Sequence, residues 1–401
     1  MRPNVQVGTF LIRPSSDPNC LALSVRSKEN KSDGIIHVKL HSMPDGLSCF
    51  IRKPNLVHAD IGKLLDYYKV HSITDYGDES LINLTNPFPK VPLLPTIKEL
   101  EIDKGQVKLF EKIGYGNFGK VKRGQLYGFD VAVKIIRTKT EAKQKVTNPK
   151  EMLLKEADKM RRLFHPNLCH LICVSIESKP ALLIMEFMNK GSLERCLHND
   201  DFVRQEIHLE FVLLCLKEIA NGMKYLSEQN PPIVHRDLRT ANVLVHDEKK
   251  HLDFKITDFG LTEFLHGGQT FEQSERINLP ICWLSPEVLS RKTFTIKSDV
   301  WAFGVLAFEI FSLGTNPVKF LGPTLDEAVG NIKNGKTLTR ENCIDGMRPV
   351  EGFDQEICPE PLFVELEKCW KFQPSDRPHF SSIFDFIDNY DTGFQYMNIS
   401  N

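Results

Sequence analysis

Pro87, Pro89, Pro92 and Pro95 crowd one short stretch of this chain. Each fixes φ and removes a backbone donor, so no regular helix passes through it. The stretch reads as an extended linker over residues 74–104. It leaves a short zone before it (1–73) and a long one after it, each of which must bury its own core. A chain of 401 residues has room for two or three domains. With 41% hydrophobic and 26% charged residues the composition is that of a globular protein. A formal net charge of -1 supplies no positive field for nucleic acid, so no nucleic-acid partner is expected. The ten cysteines form no C-x-x-C pair, which argues against a zinc ribbon or a redox motif and for reduced, buried thiols. The most apolar helical stretch, 211–226, is broken by Lys217 and Glu218 and is too short to span a bilayer. Residue 2 is arginine, so the glycine required for myristoylation is missing. No secretory signal is visible. The expectation is a cytoplasmic protein with no intrinsic membrane anchor.

In the first zone, runs at 9–13, 21–26 and 35–40 read as strands, the first two separated by the turn cluster Pro14, Ser15, Ser16, Asp17 and Pro18. Ile61, Leu64, Leu65 and Tyr68 recur at helical spacing. Alternation puts Phe10 and Ile12 on one strand face and Leu11 and Arg13 on the other. An arginine turned inward beside leucine is costly unless it meets an anion, which a guanidinium can grip bidentately. From about residue 105 strand signals come first and helical periodicity follows.

The long zone carries its chemistry in ordered motifs. Ile113-Gly114-Tyr115-Gly116-Asn117-Phe118-Gly119-Lys120-Val121 is a G-x-G-x-x-G-x-V loop, whose glycines let backbone approach phosphate. Alone it is equally a hairpin turn. Val131-Ala132-Val133-Lys134 follows, an apolar strand ending in a lysine that needs an anion if it turns inward and otherwise snorkels to water. Glu156 shares a helical pattern with Leu153, Ala157 and Met160, where a bridge to Lys134 would account for both charges. Then come His235-Arg236-Asp237-Leu238-Arg239-Thr240-Ala241-Asn242, Asp258-Phe259-Gly260, Pro286-Glu287, Asp299-Val300-Trp301-Ala302-Phe303-Gly304 and Arg377-Pro378.

This ordered set resembles the protein kinase family. The resemblance implies an α+β, two-lobed kinase fold over 105–390, with a small β-rich lobe (105–188), a large helical lobe (189–390) and a tail (391–401). It implies ATP with Mg2+ or Mn2+ as cofactors. The loop of Gly114, Gly116 and Gly119 covers the phosphates, flanked by Ile113, Val121 and Ala132. Lys134 holds the α- and β-phosphates, oriented by Glu156. Asn242 and Asp258 bind metal, and Asp237 meets the substrate hydroxyl. Met185 gates the back of the nucleotide pocket, and Glu186 and Met188 offer backbone groups to adenine. Glu287 pairs with Arg377.

Three features resemble tyrosine kinases of the Src-like group. Arg239 stands two residues after Asp237. Pro280-Ile281-Cys282-Trp283-Leu284-Ser285-Pro286-Glu287 resembles P-x-x-W-x-x-P-E, whose flat proline can pack on a phenol ring; Cys282 and Ser285 depart from the usual basic residue and alanine. Cys369-Trp370 with Pro374 and Arg377-Pro378 resembles C-W-x-x-x-P-x-x-R-P. The segment 258–287 contains no tyrosine. Phe271 stands where a phosphorylated tyrosine would pair with Arg236, and Glu272 and Glu275 are candidate counter-charges. Tyr396 lies near the position of the tail tyrosine of Src-like kinases.

The first zone resembles a Src-homology-2 domain, an antiparallel sheet flanked by helix. Gly8-Thr9-Phe10-Leu11-Ile12-Arg13-Pro14-Ser15-Ser16 matches its F-L-V-R-E-S strand, and Ile36-His37-Val38-Lys39-Leu40 its H-Y-K-I strand. Arg13, Ser15, Ser16, His37 and Lys39 would then form the phosphotyrosine pocket. Only seven residues precede Gly8, so the reading is a partial domain over 1–73. Together the resemblances imply a non-receptor tyrosine kinase acting on tyrosine-containing protein substrates and recruited to phosphotyrosine-containing, membrane-associated proteins. The alternatives are a phosphotyrosine-binding adaptor with a weak or pseudo-kinase domain, and a serine or dual-specificity kinase.

Overall fold

The structure is a computed structural model. It describes residues 10–14, 20–26, 35–42, 49–51, 61–71, 73–75, 78–82, 84, 95–116, 119–136, 149–177, 179–248, 251–265, 270–272, 280–354 and 356–390. Two compact units form.

The smaller unit is built on an antiparallel sheet in the order β1 (Phe10–Pro14), β2 (Cys20–Arg26), β3 (Ile35–Ser42) and β4 (Cys49–Ile51). Helix α1 (Ile61–Val70) and the hairpin β5 (Ile73–Asp75) with β6 (Asp78–Ile82) follow. Phe10, Leu23, Val25, Val38 and Leu40 are buried with Leu64 and Tyr68 of α1, and Ile12 packs against them. Leu64 and Tyr68 are one helical turn apart and therefore share a face. The covered face thus takes Phe10 and Ile12. Alternation gives Leu11 and Arg13 the other positions of the strand, and their side chains lie outside the described residues. Leu84 also enters this core, and its N–H donates to the Tyr68 carbonyl at 2.8 Å. Residues 74–84 therefore carry a hairpin and a core residue that the prolines beyond them do not announce.

The larger unit opens with a five-stranded sheet in the order β10-β11-β9-β8-β7, from β7 (Val107–Gly116), β8 (Gly119–Leu126), β9 (Phe129–Ile136), β10 (Leu171–Ser175) and β11 (Leu182–Glu186). Helix α2 (Pro149–Met160) buries Leu153, Ala157 and Met160 at i, i+4, i+7 spacing. Residues 100–102 are tied to the sheet edge: Ile102 N–H donates to Val174 O and Val174 N–H to Leu100 O, both at 2.9 Å. The Glu101 carboxylate accepts the Ile176 N–H at 2.8 Å.

The rest is mainly helical. In chain order come β12 (Gly191–Ser192), α3 (Leu193–Leu197), α4 (Asp200–Glu206), α5 (Leu209–Ser227), β13 (Ile233–Val234), β14 (Val243–Glu248) and β15 (His251–Ile256). Then follow β16 (Glu263–Phe264), β17 (Phe271–Glu272), α6 (Pro286–Arg291), β18 (Thr293–Phe294) and α7 (Ile296–Phe311). Last are α8 (Val318–Leu321), α9 (Leu325–Lys333), α10 (Arg340–Gly346), α11 (Glu360–Glu367) and α12 (Phe380–Asp388). Helix α7 is apolar on every side and is buried from Ser298 to Phe311, as such a helix must be. A Cβ on Gly304 of α7 would lie 2.7 Å from Trp370 Nε1, so glycine lets that indole pack directly on the helix. Arg377, fully buried, grips Glu287 with Nη1 at 2.7 Å and Nη2 at 2.8 Å. The eight cysteines whose side chains are described are free and buried. Among the described residues no helix is long and apolar enough to cross a membrane.

Candidate active site

The central strand β9 ends its apolar run at Lys134, 4% exposed, across from Leu183 of β11. Its ammonium lies 2.6 Å from Glu156 Oε1, presented by the buried face of α2, and 3.0 Å from Asp258 Oδ1. Burial opposes the charge on Lys134, but the two carboxylates more than restore it and hold the amine above its ordinary value. Burial likewise opposes ionisation of Asp258, and the Lys134 ammonium prevails, keeping that carboxyl below its usual range.

These three residues line a cavity of about 890 Å³ with Ile113, Gly114, Val121, Ala132, Met185, Glu186, Met188, Arg239 and Asn242. Of the other expected residues, Gly116 closes β7 and Gly119 opens β8, while Asn117 and Phe118 between them lie outside the described residues. Met185 stands across from Ala132 in the β11–β9 register. The Glu186 backbone N–H donates to the His170 carbonyl, and its carboxylate is held by the His170 N–H at 2.7 Å and the Lys255 ammonium at 2.6 Å. Cys169, Leu244 and Thr257 also line the cavity and are not marked by any motif.

The turn carrying Asp237 is fastened from below. Asp299, in the first turn of α7, accepts the N–H of His235 at 2.7 Å and of Arg236 at 3.0 Å. His235 lies 3.1 Å from the Thr257 carbonyl through Nε2 and 3.3 Å from the Asp237 N–H through Nδ1. A carbonyl can only accept and an N–H can only donate, so Nε2 carries the proton and the ring is neutral. Burial pushes its pKa down to about 4, which agrees. Arg236 and Asp258 adopt φ of 74° and 64°, left-handed backbone that costs each residue energy and persists only where its surroundings impose it.

Asp237 is buried, which pushes its pKa up to about 6, and Arg239 Nε at 3.1 Å offsets part of that rise. Asn242 donates its amide N–H to the Asp237 carbonyl at 2.7 Å. That bond fixes the amide orientation, so the Asn242 side-chain oxygen is left as an acceptor. Glu309 of α7 links two parts that no motif reading joined. Its carboxylate accepts the Thr240 hydroxyl at 2.7 Å, the Thr240 N–H at 3.1 Å and the Trp283 indole N–H at 2.9 Å. Burial pushes its pKa up to about 7, held back by those donors. The available signal was a lone acid inside an otherwise apolar helical run, which must find donors.

In the smaller unit the cross-strand register sets Arg13 opposite Ala22 and Ala22 opposite Lys39, and His37 opposite Ser24. Ser15, Ser16, Glu275 and Tyr396 lie outside the described residues, as do the side chains of Arg13, His37 and Glu272.

A lysine salt-bridged to a helix glutamate, beside a paired carboxylate and amide and under a glycine loop, is a phosphoryl-transfer constellation. Residues 107–387 match the family model for protein tyrosine and serine/threonine kinases, and residues 2–68 match the SH2 domain model. The chain belongs to the protein tyrosine kinase family. It is similar to the tyrosine-protein kinase SPK-1 of Girardia tigrina, 30% identical over 397 residues that cover 97% of this chain and 74% of that one. The tyrosine protein-kinase src-1 of Caenorhabditis elegans is 32% identical over 397 residues, 96% of this chain and 68% of its own. The tyrosine-protein kinase Srms of Mus musculus is 32% identical over 379 residues, 93% and 67%. This kinase is therefore of the non-receptor type, with an SH2 domain ahead of a two-lobed catalytic domain. It uses ATP and a divalent metal ion on protein substrates, and its SH2 domain implies phosphotyrosine-containing partners.

Proposed function

We propose that the transfer runs through the cleft below β9 with the following assignment, supported above all by Lys134 meeting both Glu156 and Asp258 within 3.0 Å. Lys134 binds the α- and β-phosphates, and Glu156 holds its side chain at that depth. Ile113, Val121, Ala132 and Met185 enclose the adenine, with Met185 closing the back. The Met188 backbone and the Glu186 carbonyl bond the base, because the Glu186 N–H is already committed. Gly114, Gly116 and Gly119 let backbone N–H groups reach the phosphates.

The Asp258 carboxylate and the Asn242 amide oxygen are two hard oxygen donors on one cavity wall, a set that fits Mg2+ or Mn2+ shared with phosphate oxygens. Such an ion, when bound, neutralises charge on the nucleotide phosphates. Asp237 accepts the proton of the tyrosine hydroxyl, and Arg239 keeps that carboxylate charged and in place. Trp283, bonded to Glu309 and 5.9 Å from the Arg239 guanidinium, carries the loop of Pro280 against which the substrate phenol packs.

Arg13, His37 and Lys39, with Ser15 and Ser16, read phosphotyrosine on partner proteins. Their domain extends past residue 73 to include Leu84, and the catalytic domain begins near residue 105. The enzyme works in the cytoplasm and reaches membrane-associated phosphotyrosine proteins through this domain. Asp237→Asn tests the central assignment: phosphotransfer falls by at least about 100-fold, the scale of a general base, while ATP binding stays within twofold. A variant with near-normal turnover contradicts the assignment.

A further inference from the structure

Arg236 precedes the catalytic Asp237, and its guanidinium is buried away from the nucleotide cleft, 2% exposed. Its Nη1 donates to the Leu261 carbonyl at 3.0 Å and lies 3.9 Å from Glu263 Oε1. Both partners belong to the start of the activation segment. The guanidinium also lies over two phenylalanine rings. The guanidinium carbon is 4.6 Å from the ring centre of Phe271 and 4.5 Å from that of Phe294. A guanidinium can donate in plane and stack on ring faces at once. The two rings are neighbours because β17 pairs with β18 with Phe271 directly across from Phe294. Phe294 is a core residue, 1% exposed, packed with Val234, Leu284 and Val288. Phe271 is only half-buried and comes from the activation segment itself.

We infer that Phe271 is a positioning residue for the phosphoryl transfer: its ring, laid on the Arg236 guanidinium beside Phe294, fastens the middle of the activation segment to the catalytic turn. One cation then holds the segment at two points, by Leu261 and Glu263 near its start and by Phe271 near its middle. No tyrosine lies between Asp258 and Glu287, and this clasp requires no modification of the segment. It operates while Lys134, Glu156 and Asp258 are already engaged with one another. The inference rests on the catalytic assignment above, so its test has one readout that is independent of turnover.

The full chain is compared with Phe271→Leu, which keeps apolar bulk and removes the π-face, and with Phe271→Trp, which keeps a π-face. Backbone hydrogen exchange is followed at residues 271–272 and 293–294, and kcat and KM for ATP are measured on a tyrosine copolymer. Phe271→Leu loses exchange protection in both strands and roughly 5- to 30-fold in kcat, the span of a desolvated cation–π contact, with KM for ATP unchanged. Phe271→Trp retains protection and kcat within about threefold of the parent, the scale of the weakest cation–π contacts. Protection in Phe271→Leu equal to the parent overturns the inference. So does equal loss in both variants, which would make ring shape rather than the ring face the requirement. Protection that follows the prediction while kcat does not move shows a clasp without a positioning role, and also overturns it. A parent chain that does not phosphorylate the copolymer strikes at the catalytic assignment instead, and the exchange result still decides the clasp.

Discussion

Replacing Glu156 by glutamine keeps the length of the side chain and removes its charge. The ammonium of Lys134 lies 2.6 Å from Glu156 and 3.0 Å from Asp258, and the Lys134 and Glu156 side chains are 5% and 4% exposed. At an effective dielectric constant of about 20, attraction across such a distance is roughly 6 kcal/mol. Removing two ions from water costs several kcal/mol each, so most of that attraction is cancelled in the intact protein. In the variant Lys134 keeps Asp258, and the glutamine oxygen still accepts a hydrogen bond. The loss is therefore the extra strength that the carboxylate charge lends the bond, about 1–1.5 kcal/mol, the gap between bonds to charged and to neutral groups. If the bond serves to place Lys134 for the phosphates, kcat/KM for ATP falls by about 5- to 13-fold at 1.36 kcal/mol per decade. Steady-state kinetics at varied ATP and fixed tyrosine copolymer measure it, with a melting curve to show that the variant is folded at the assay temperature. A folded Glu156→Gln enzyme within twofold of the parent would refute the reasoning, because Lys134 would then be placed by Asp258 alone.

Asp237 must be ionised to accept a proton, and burial pushes its pKa up to about 6. Peptide kcat/KM therefore declines as pH falls through about 6; a limb near 4, the ordinary carboxylate value, would contradict this. Removing Arg239, whose charge lowers that pKa, moves the limb to higher pH. Burial would raise the Glu287 pKa, but its bidentate bond to Arg377 wins and holds it below the ordinary value. A depressed carboxylate contributes stability above its unfolded pKa that is lost as pH falls through the folded one. Arg377→Met leaves Glu287 buried without its partner and costs about 3–5 kcal/mol; a melting temperature within 2 °C of the parent, on the order of 1 kcal/mol, would show the bridge to be dispensable. Time courses of the purified kinase are linear with or without ATP preincubation, since no tyrosine lies in the activation segment. A lag that preincubation abolishes, with phosphate mapped to 258–287, would show the opposite.

What was legible in the sequence was whatever is written in local order. The alternation of β1 to β3, the helical spacing of Leu64 and Tyr68, and the glycine loop ahead of Lys134 all describe neighbours along the chain. Glu156 was legible as a charge on an apolar helix face that needed a partner, and the structure sets it against Lys134. The contacts of Asp299 and Glu309 and the ring contacts of Phe271 and Phe294 with Arg236 were not legible in that sense, although Phe271 stands in the sequence where a partner of Arg236 is expected. Each of these residues acts through a contact more than 30 residues away; the packing of α7 beneath the catalytic turn brings the two acids there, and the β17–β18 pairing sets Phe271 and Phe294 together at Arg236. The hairpin at β5 and β6 was hidden by the prolines that follow it.

The central claim is that this chain transfers phosphate from ATP to tyrosine through Asp237. The purified chain is incubated with labelled ATP, Mg2+ and a mixed protein substrate, beside Asp237→Asn, and the product is hydrolysed for phosphoamino-acid analysis. The account predicts phosphotyrosine as the dominant product from the parent and almost none from the variant. Phosphoserine or phosphothreonine as the main product, or equal phosphotyrosine from both proteins, would contradict it.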